Sequence, residues 1–322
     1  MRRISKNISK KIGKIVLVAG LAAIMLGALT GCVNAINYTY QNADKYTAGD
    51  RTITDKIDKI DIDYLSGDIK FDATETDAVA IKETTNKTID DKMKVHSWVN
   101  EGTLYVRFCA SGKRMDFTNI DKNLEITIPA DTNLNELKVE ISSGSFTGKG
   151  INADSVNVTA SSGDIDVNGT ADKINLVASS GDIKLTQKGD SSEVEMEASS
   201  GHVTADVENI NKVDVTTSSG DVVFNGKKIK EVNATASSGE AKYTFDEAPG
   251  KSSFTSSSGD IKIYVPEKSD ITVVSTHSSG EFDYELPFGK EGEKYVCGSG
   301  TNKMDITTSS GDQKILKLKS GE

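Results

Sequence analysis

The sequence predicts an all-β fold, a right-handed parallel β-solenoid with coils of about 19 residues and irregular β caps. Three observations predict this fold class. A phrase close to Ser-Ser-Gly-Asp-Ile recurs at nearly constant spacing, and apolar and polar residues alternate on both sides of it. In addition, only 6% of the residues are aromatic, which favours a thin, repeated core over a thick one.

The recurring phrase carries one glycine per copy. From Gly144 to Gly280 the steps between successive glycines are 19, 18, 20, 19, 19, 20 and 21 residues. A period held over so many copies is typical of stacked arrays, in which each repeat contacts its neighbours. The glycines are Gly67, Gly144, Gly163, Gly181, Gly201, Gly220, Gly239, Gly259, Gly280 and Gly311.

Strands are predicted on both sides of each glycine. With the glycine as position zero, apolar residues occupy −7, −5, +2 and +4, and a small residue usually occupies −3. In the copy of Gly181 these are Ile174, Leu176, Ile183, Leu185 and Ala178. Alternation with period two indicates half-buried strands. The glycine supplies a positive φ at the corner between them.

Two arrangements of these strands are compatible with the alternation. A meander of antiparallel hairpins requires neither a constant period nor the same side-chain size at each offset. Parallel stacking places equivalent residues of successive coils opposite one another, and this accounts for both the constant period and the constant side-chain size. We therefore predict parallel coils spaced about 4.8 Å apart, following a right-handed path as crossover connections do.

The first 31 residues have the composition of a secretory signal peptide. Six cations and no acid precede an apolar or small-residue run from Ile15 to Leu29, which is too short and wrongly flanked for a membrane span. The run ends in Leu29-Thr30-Gly31-Cys32, which resembles the lipobox of bacterial lipoproteins. This resemblance implies cleavage before Cys32 and transfer of a diacylglyceryl group to its thiol, whose two chains give stable anchoring. The alternative is an ordinary signal peptide or an uncleaved anchor with a chance cysteine.

The remaining chain is acidic and divides into four further segments. The net charge is −10, and removing six cations leaves −10 − 6 = −16, which disfavours nucleic acid and anionic lipid surfaces as partners.

The predicted segments are 1–31 signal peptide, 32–50 tether, 51–136 N-terminal β cap, 137–284 regular repeats and 285–322 C-terminal cap.

Candidate chemical groups are few. Cys109 and Cys297 could pair outside the cell, but we expect them at opposite caps, about eight coil steps or 38 Å apart, beyond the reach of a disulfide. His277 falls on a −3 position, so we expect it to be buried and hydrogen-bonded. His96 and His202 occur in unrelated contexts.

An acidic row follows the corner glycines. Such a row could bind Ca²⁺ through oxygen ligands, or each side chain could accept backbone N–H bonds within its own turn, which we favour. No serine is distinguished by a neighbouring base, because the serines recur identically in each copy. The row is Asp164, Asp182, His202, Asp221, Glu240, Asp260 and Glu281.

The repeat resembles the bacterial putative-adhesin family known as the DUF4097 domain. The shared features are the serial Ser-Gly-Asp-Ile turns and strands that end in proline, seen at Ile126-Thr127-Ile128-Pro129 and Ile263-Tyr264-Val265-Pro266. The resemblance covers about residues 55–318. It implies a β-solenoid at the cell surface with an adhesive or envelope role, and it brings no catalytic residues.

These observations lead to one expected function and two alternatives. We expect a lipid-anchored binding or adhesive module outside the cytoplasm, held to membrane lipid through Cys32, with an envelope protein or glycan as ligand. An envelope-stress sensor or regulatory lipoprotein that binds a membrane protein is the first alternative, and a carbohydrate-active β-helix enzyme is the second. Because the near-constant spacing leaves no room for long cleft-forming loops, we expect no enzymatic activity, catalytic residue, cofactor or metal site.

Overall fold

A computed structural model describes residues 36–115 and 120–319, and in these ranges the chain is almost entirely β. The signal peptide and Cys32 lie outside the described residues. Besides a 3₁₀ turn at Ala43–Lys45, the strands are β1 Ile36–Tyr38, β2 Thr47–Ala48, β3 Arg51–Ile53, β4 Lys59–Ser66, β5 Ile69–Thr74, β6 Val79–Thr85, β7 His96–Asn100, β8 Thr103–Arg107, β9 Lys113–Met115, β10 Lys122–Pro129, β11 Leu134–Ser143, β12 Phe146–Ser162, β13 Ile165–Ser180, β14 Ile183–Gln187, β15 Ser191–Ser200, β16 Val203–Ser219, β17 Val222–Ser238, β18 Ala241–Phe245, β19 Lys251–Ser258, β20 Ile261–Val265, β21 Ile271–Ser279, β22 Phe282–Tyr284, β23 Gly289–Glu291, β24 Lys294–Cys297, β25 Asn302–Ser310 and β26 Gln313–Lys317.

The chain divides into two compact units. The first comprises Met1–Asn37 and Arg114–Phe117, and its described residues belong to β1 and β9, which pair with each other. The second comprises Tyr38–Lys113 and Thr118–Glu322 and contains the repeats. No helix in the described part of the chain is long and apolar enough to cross a membrane.

The repeats form a parallel β-solenoid, as predicted. Each coil has one strand before its corner glycine and one after it; we call the sheet of preceding strands face B and the sheet of following strands face A. Neighbouring coils pair in parallel, with Leu176 opposite Met196 on face B and Ile183 opposite Val203 on face A. The long strands β12, β13, β16 and β17 continue around a second corner from face A to face B.

The core lies between the two faces and is one residue deep on each side. Val158, Leu176, Met196 and Val215 occupy the −5 position of successive coils, lie opposite one another and are all buried. This confirms the predicted inward register in the regular coils. Each buried aliphatic side chain contributes about 1.5–3 kcal/mol, so the stability of the stack is spread over many equivalent positions.

The corner glycines form one column along the stack. A Cβ atom at Gly163 would lie 2.1 Å from the carbonyl oxygen of Gly144, and one at Gly181 would lie 2.1 Å from that of Gly163. Both glycines also have positive φ, +130° and +145°. Any larger residue would therefore push neighbouring coils apart, which explains the recurrence of glycine at the corner.

The order of coils in the stack differs from their order in the chain at both ends. At the N-terminal end, β8 and β10 follow β4 and β5 in the chain but stack on their outer side, while β11 and β12 stack on their inner side. The coil of β25 and β26 inserts between that of β19 and β20 and that of β21 and β22. Residues 302–317, expected to lie in an irregular C-terminal cap, therefore form a regular coil inside the stack.

Residues 38–50, expected to lie in the tether, are packed into the N-terminal end of the solenoid. Tyr38 is buried, and its hydroxyl donates to the carbonyl of Asp63 at 2.9 Å. The Tyr40 hydroxyl donates to the carbonyl of Cys109 at 3.0 Å. β2 pairs with β7, so the folded unit already includes these residues.

The two described cysteines lie near opposite ends of the solenoid. Cys109 follows β8, and Cys297 ends β24; both are buried. Eleven strand-to-strand steps on face B separate their strands, more than the eight expected, because extra coils and cap strands lie between them. At about 4.8 Å per step the separation excludes a disulfide between them.

Candidate ligand-binding groove

A row of outward side chains on face A crosses five coils at the +5 position. It runs through Thr186, Asp206, Asn225, Thr244 and Tyr264, each opposite the next in parallel register. The +4 residues beside them point into the core, so the alternation of a strand directs the +5 residues outward. Successive members of the row stand about 4.8 Å apart.

Four members of the row line a groove of about 270 Å³, namely Asp206, Asn225, Thr244 and Tyr264. The second corners beside the row differ in length: some long strands continue without interruption, whereas β14 and β18 end in short loops at Lys188 and Asp246. Both of these residues line the groove. The lining also includes Glu208, Lys227 and Lys242.

Three polar side chains in the groove lack partners among the described residues, unlike many elsewhere on the solenoid. On other parts of the surface, ion pairs join neighbouring coils, as in Lys184–Asp166 at 3.2 Å and Lys251–Glu231 at 2.9 Å. Within the described ranges, the side chains of Asp206, Asn225 and Thr244 make no hydrogen bond or ion pair with the protein. Their hydrogen-bonding groups therefore remain available to a ligand.

One end of the groove carries an aromatic ring. The Nζ atom of Lys242 lies 5.1 Å from the centre of the Tyr264 ring, a cation–π distance. Tyr264 is half-buried. The groove thus combines a carboxylate, an amide, a hydroxyl, an ammonium group and a ring on one concave surface, and such a set can bind a molecule rich in hydroxyl groups.

The predicted acidic row has a structural role that links coils. The Oδ1 atom of Asp164 accepts the backbone N–H of Asp182 at 2.8 Å, and Asp182 accepts that of His202 at 2.7 Å. Each carboxylate therefore accepts a backbone N–H from the turn of the neighbouring coil. The sequence favoured an N–H from the same turn. Further bonds of this kind have the acceptors Asn123, Asp68, Ser145, His202, Asp221, Asp260 and Asp312. We call this series of bonds between neighbouring turns the corner ladder.

Glu240 departs from this pattern. Its longer side chain accepts a hydrogen bond from Lys262 Nζ at 2.7 Å, within an ion pair between neighbouring coils. Among the residues that the structure describes, no group of three or more His, Cys, Asp or Glu side chains is placed to hold a metal ion. The geometry therefore does not support the Ca²⁺ alternative for the row.

The histidines occupy three different settings. His202 Nδ1 accepts the N–H of Asp221 at 3.0 Å within the corner ladder, and His96 is buried with Nδ1 2.9 Å from the carbonyl of Lys94. The predicted burial of His277 is wrong, because this side chain is exposed. Its predicted hydrogen bonding is present, since Nδ1 lies 3.4 Å from the hydroxyl oxygen of Ser275. His277 occupies an inward position of its strand, but its coil is the last of the described stack and no other described coil covers it.

Sequence reasoning missed the groove. The +5 residues read as ordinary outward positions, and nothing in the repeat marks Asn225 apart from Asn168 at the same offset. The only available signal was the irregular spacing around Gly189 and Gly250, where the second corner lengthens.

The profile of one family, Toastrack DUF4097, matches residues 57–316, which is most of the chain. The chain belongs to this family. The match covers the corner ladder, the groove and nearly all the coils, and it confirms the resemblance drawn from the turns. No curated protein matches the Toastrack chain.

Two solved structures share the fold of this Toastrack chain. One is named a putative adhesin from Parabacteroides distasonis ATCC 8503, with 12% identity and a TM-score of 0.51. The other is named a putative adhesin from Parabacteroides merdae ATCC 43184, with 15% identity and a TM-score of 0.51. Each comparison covers 85% of this chain and 97% of the other. At such identities the likeness shows the fold alone.

Proposed function

We propose that this Toastrack domain is a lipid-anchored binding module on the outside of a bacterial cell, with the face A groove as its ligand site. The observation that carries the proposal is the row Asp206, Asn225 and Thr244, whose polar groups have no partner among the described residues and line a concave surface beside Tyr264. The names of the two structural neighbours agree with an adhesive role. The lipobox at Cys32 supports the anchor.

The groove chemistry favours a glycan as the ligand. Sugar hydroxyls both donate and accept hydrogen bonds, which suits a carboxylate, an amide and a hydroxyl placed about 5 Å apart. The apolar face of a sugar ring can pack on Tyr264. A strongly anionic polymer is disfavoured, because the chain without residues 1–31 carries a net charge of about −16.

Binding of the full-length protein to an array of bacterial surface glycans tests this ligand assignment. Asn225→Ala removes an unpartnered amide, so we expect about three- to tenfold weaker binding, the equivalent of one hydrogen bond. Tyr264→Ala should also weaken it. Asn168→Ala is the matched control, because Asn168 holds the same +5 position outside the groove. If Asn168→Ala weakens binding as much as Asn225→Ala, or if no glycan binds, the proposal fails.

The anchor is tested separately with Cys32→Ser. This variant has no thiol to receive the diacylglyceryl group, so we expect it to be released from the membrane or retained as an uncleaved precursor. Incorporation of radiolabelled fatty acid measures the outcome. Equal labelling of the variant and the wild type would contradict lipidation at Cys32.

A further inference from the structure

The two ends of the solenoid are closed to different extents. At the N-terminal end, antiparallel strands cover both faces, with β6 on β10 and β7 on β8. The core beneath them is sealed by a buried ion pair, in which Lys122 Nζ lies 2.8 Å from Glu83 Oε1. The Tyr64 hydroxyl donates to the same carboxylate at 3.1 Å. The outermost coil strands at this end, β8 and β10, are therefore each paired on both sides.

The C-terminal end is open over half of its last coil. β22 pairs with β26 on one side, and no described strand pairs with its other side. On face B, β24 covers only residues 271–274 of β21. Residues 275–284 therefore present an unpaired edge that passes around the corner at Gly280, and we call this segment the open half-coil.

Side chains that would be buried in any other coil are in water here. Tyr284 at the +4 position is 44% exposed and His277 at −3 is exposed, whereas the equivalent Ile263 and Ser256 are buried. The rings of Phe282 and Tyr295 lie 4.8 Å apart, and those of Tyr284 and Phe288 lie 5.2 Å apart. The open half-coil thus combines unpaired backbone groups with an apolar inner edge, which are the two requirements for strand addition.

We propose that the open half-coil binds an extended segment of a partner protein, which adds to the stack as one more strand–glycine–strand unit. The corner geometry fixes one feature of this segment. At every corner glycine except Gly67, a Cβ atom would lie only 2.0–2.3 Å from the carbonyl oxygen of the corner glycine beneath it in the stack. The incoming segment must therefore place glycine over Gly280.

Charge defines a second feature of the segment. Glu281, Asp283 and Glu285 are the outward residues in and directly beside β22, and all three are exposed. Asp283 already lies 3.8 Å from Lys314 of the coil beneath it. In other coils, lysines face acids of the neighbouring coil, as Lys184 does for Asp166 at 3.2 Å. A segment with Lys or Arg three residues after its glycine would pair with Asp283 in the same way. A second copy of β22 would instead bring acids against acids, which is unfavourable.

This site is independent of the groove, since the two share no residue. It would serve the alternative role of a regulatory lipoprotein that binds a membrane protein. The native partner segment is thus defined by its chemistry: apolar residues two and four positions after a glycine, with a basic residue between them.

The probe for this site is a fluorescent synthetic peptide with the sequence of residues 255–265, which has Ile, Lys and Ile at these three positions. We expect saturable binding to the full-length protein in detergent, measured by fluorescence anisotropy. The same peptide with valine in place of its glycine should bind at least about tenfold more weakly, because its corner cannot approach Gly280. Absence of saturable binding, or equal binding of the valine peptide, would overturn the proposal.

Two protein variants locate the binding. Asp283→Lys should weaken binding of the unmodified peptide by about tenfold, because it turns an attractive cross-strand pair into a repulsive one. Asp305→Lys, an equal charge change at an exposed position of β25, should bind the peptide like the wild type, as should Asn225→Ala in the groove. If Asp305→Lys weakens binding as much as Asp283→Lys, or if Asp283→Lys has no effect while melting normally, the open half-coil is not the site.

Discussion

The carboxylate of Asp164 accepts the backbone N–H of Asp182 at 2.8 Å, from one coil to the next. This bond explains why a short side chain with a hydrogen-bond acceptor follows nearly every corner glycine. The glycine lets two turns approach closely, and the acceptor then satisfies the neighbouring N–H. The recurring phrase is therefore a device for stacking coils, and its serial repetition does not itself mark a ligand site.

Loss of one acceptor should cost about one exposed hydrogen bond. Asp182→Ala leaves the N–H of His202 without its partner, so we expect a loss of about 0.5–1.5 kcal/mol in the free energy of unfolding. Asp182→Asn should retain most of the stability, since Asn123 fills this role naturally at the N-terminal end. Urea denaturation measures both. If asparagine is as damaging as alanine, the negative charge matters and the acceptor geometry does not.

A corner glycine should be far less replaceable than a loop glycine. In Gly220→Ala the new methyl group would meet the carbonyl oxygen of Gly201 at 2.0 Å, so we expect a loss of at least about 3 kcal/mol from strain and overpacking. Gly292→Ala is the control, because Gly292 also has positive φ, +64°, but a Cβ atom there would contact nothing within 4 Å. Thermal unfolding should separate the two variants. Equal losses would mean that backbone strain alone accounts for the glycine.

The inward register makes neighbouring residues respond differently to the same change. Ile183 is 1% exposed, so Ile183→Asp buries an unpaired charge and should cost at least about 3 kcal/mol. Lys184→Asp changes a side chain that is 59% exposed, and the loss should stay below about 1 kcal/mol. Unfolding curves of the two variants are compared directly. Similar losses would show that the alternation is assigned to the wrong faces.

Burial of Tyr243 should make the protein sensitive to alkaline pH. Burial raises the pKa of its hydroxyl above the ordinary value of 10.0, so the folded state holds the proton at pH values where the unfolded chain has released it. Stability is therefore intact below pH 10.0 and falls above it, by about 1.4 kcal/mol per pH unit for this group. Tyr243→Phe should lose less stability between pH 9 and pH 11 than the wild type. Equal losses would contradict the assignment.

Much of the fold follows from local pattern. The alternation around Gly181 identifies Leu176 and Ile183 as inward residues, because a strand has only two sides. The near-constant period then places like residues opposite one another, as Leu176 and Met196 are. The alternation and the period are properties of short stretches of sequence, so they can be predicted from one sequence alone.

Other features depend on which coil occupies the next level, and local pattern does not encode this. Within the step of 31 residues from Gly280 to Gly311 the chain turns back, so that the last coil of the sequence inserts beneath an earlier one. This leaves His277 uncovered, although its offset is an inward one. The groove is unpredictable for a similar reason, since the freedom of Asn225 depends on the partners that adjacent coils do or do not supply.

Deletion of one complete coil tests most directly the claim that parallel coils interact only with their neighbours. Removing residues 163–180 joins Ser162 to Gly181, restores the corner phrase and keeps every inward position in phase. Removing residues 163–171 shifts the pattern and turns polar residues inward. We predict that the first variant keeps a β-type circular dichroism spectrum and melts cooperatively, whereas the second aggregates or loses cooperativity. Equal unfolding of both variants would contradict the parallel stack.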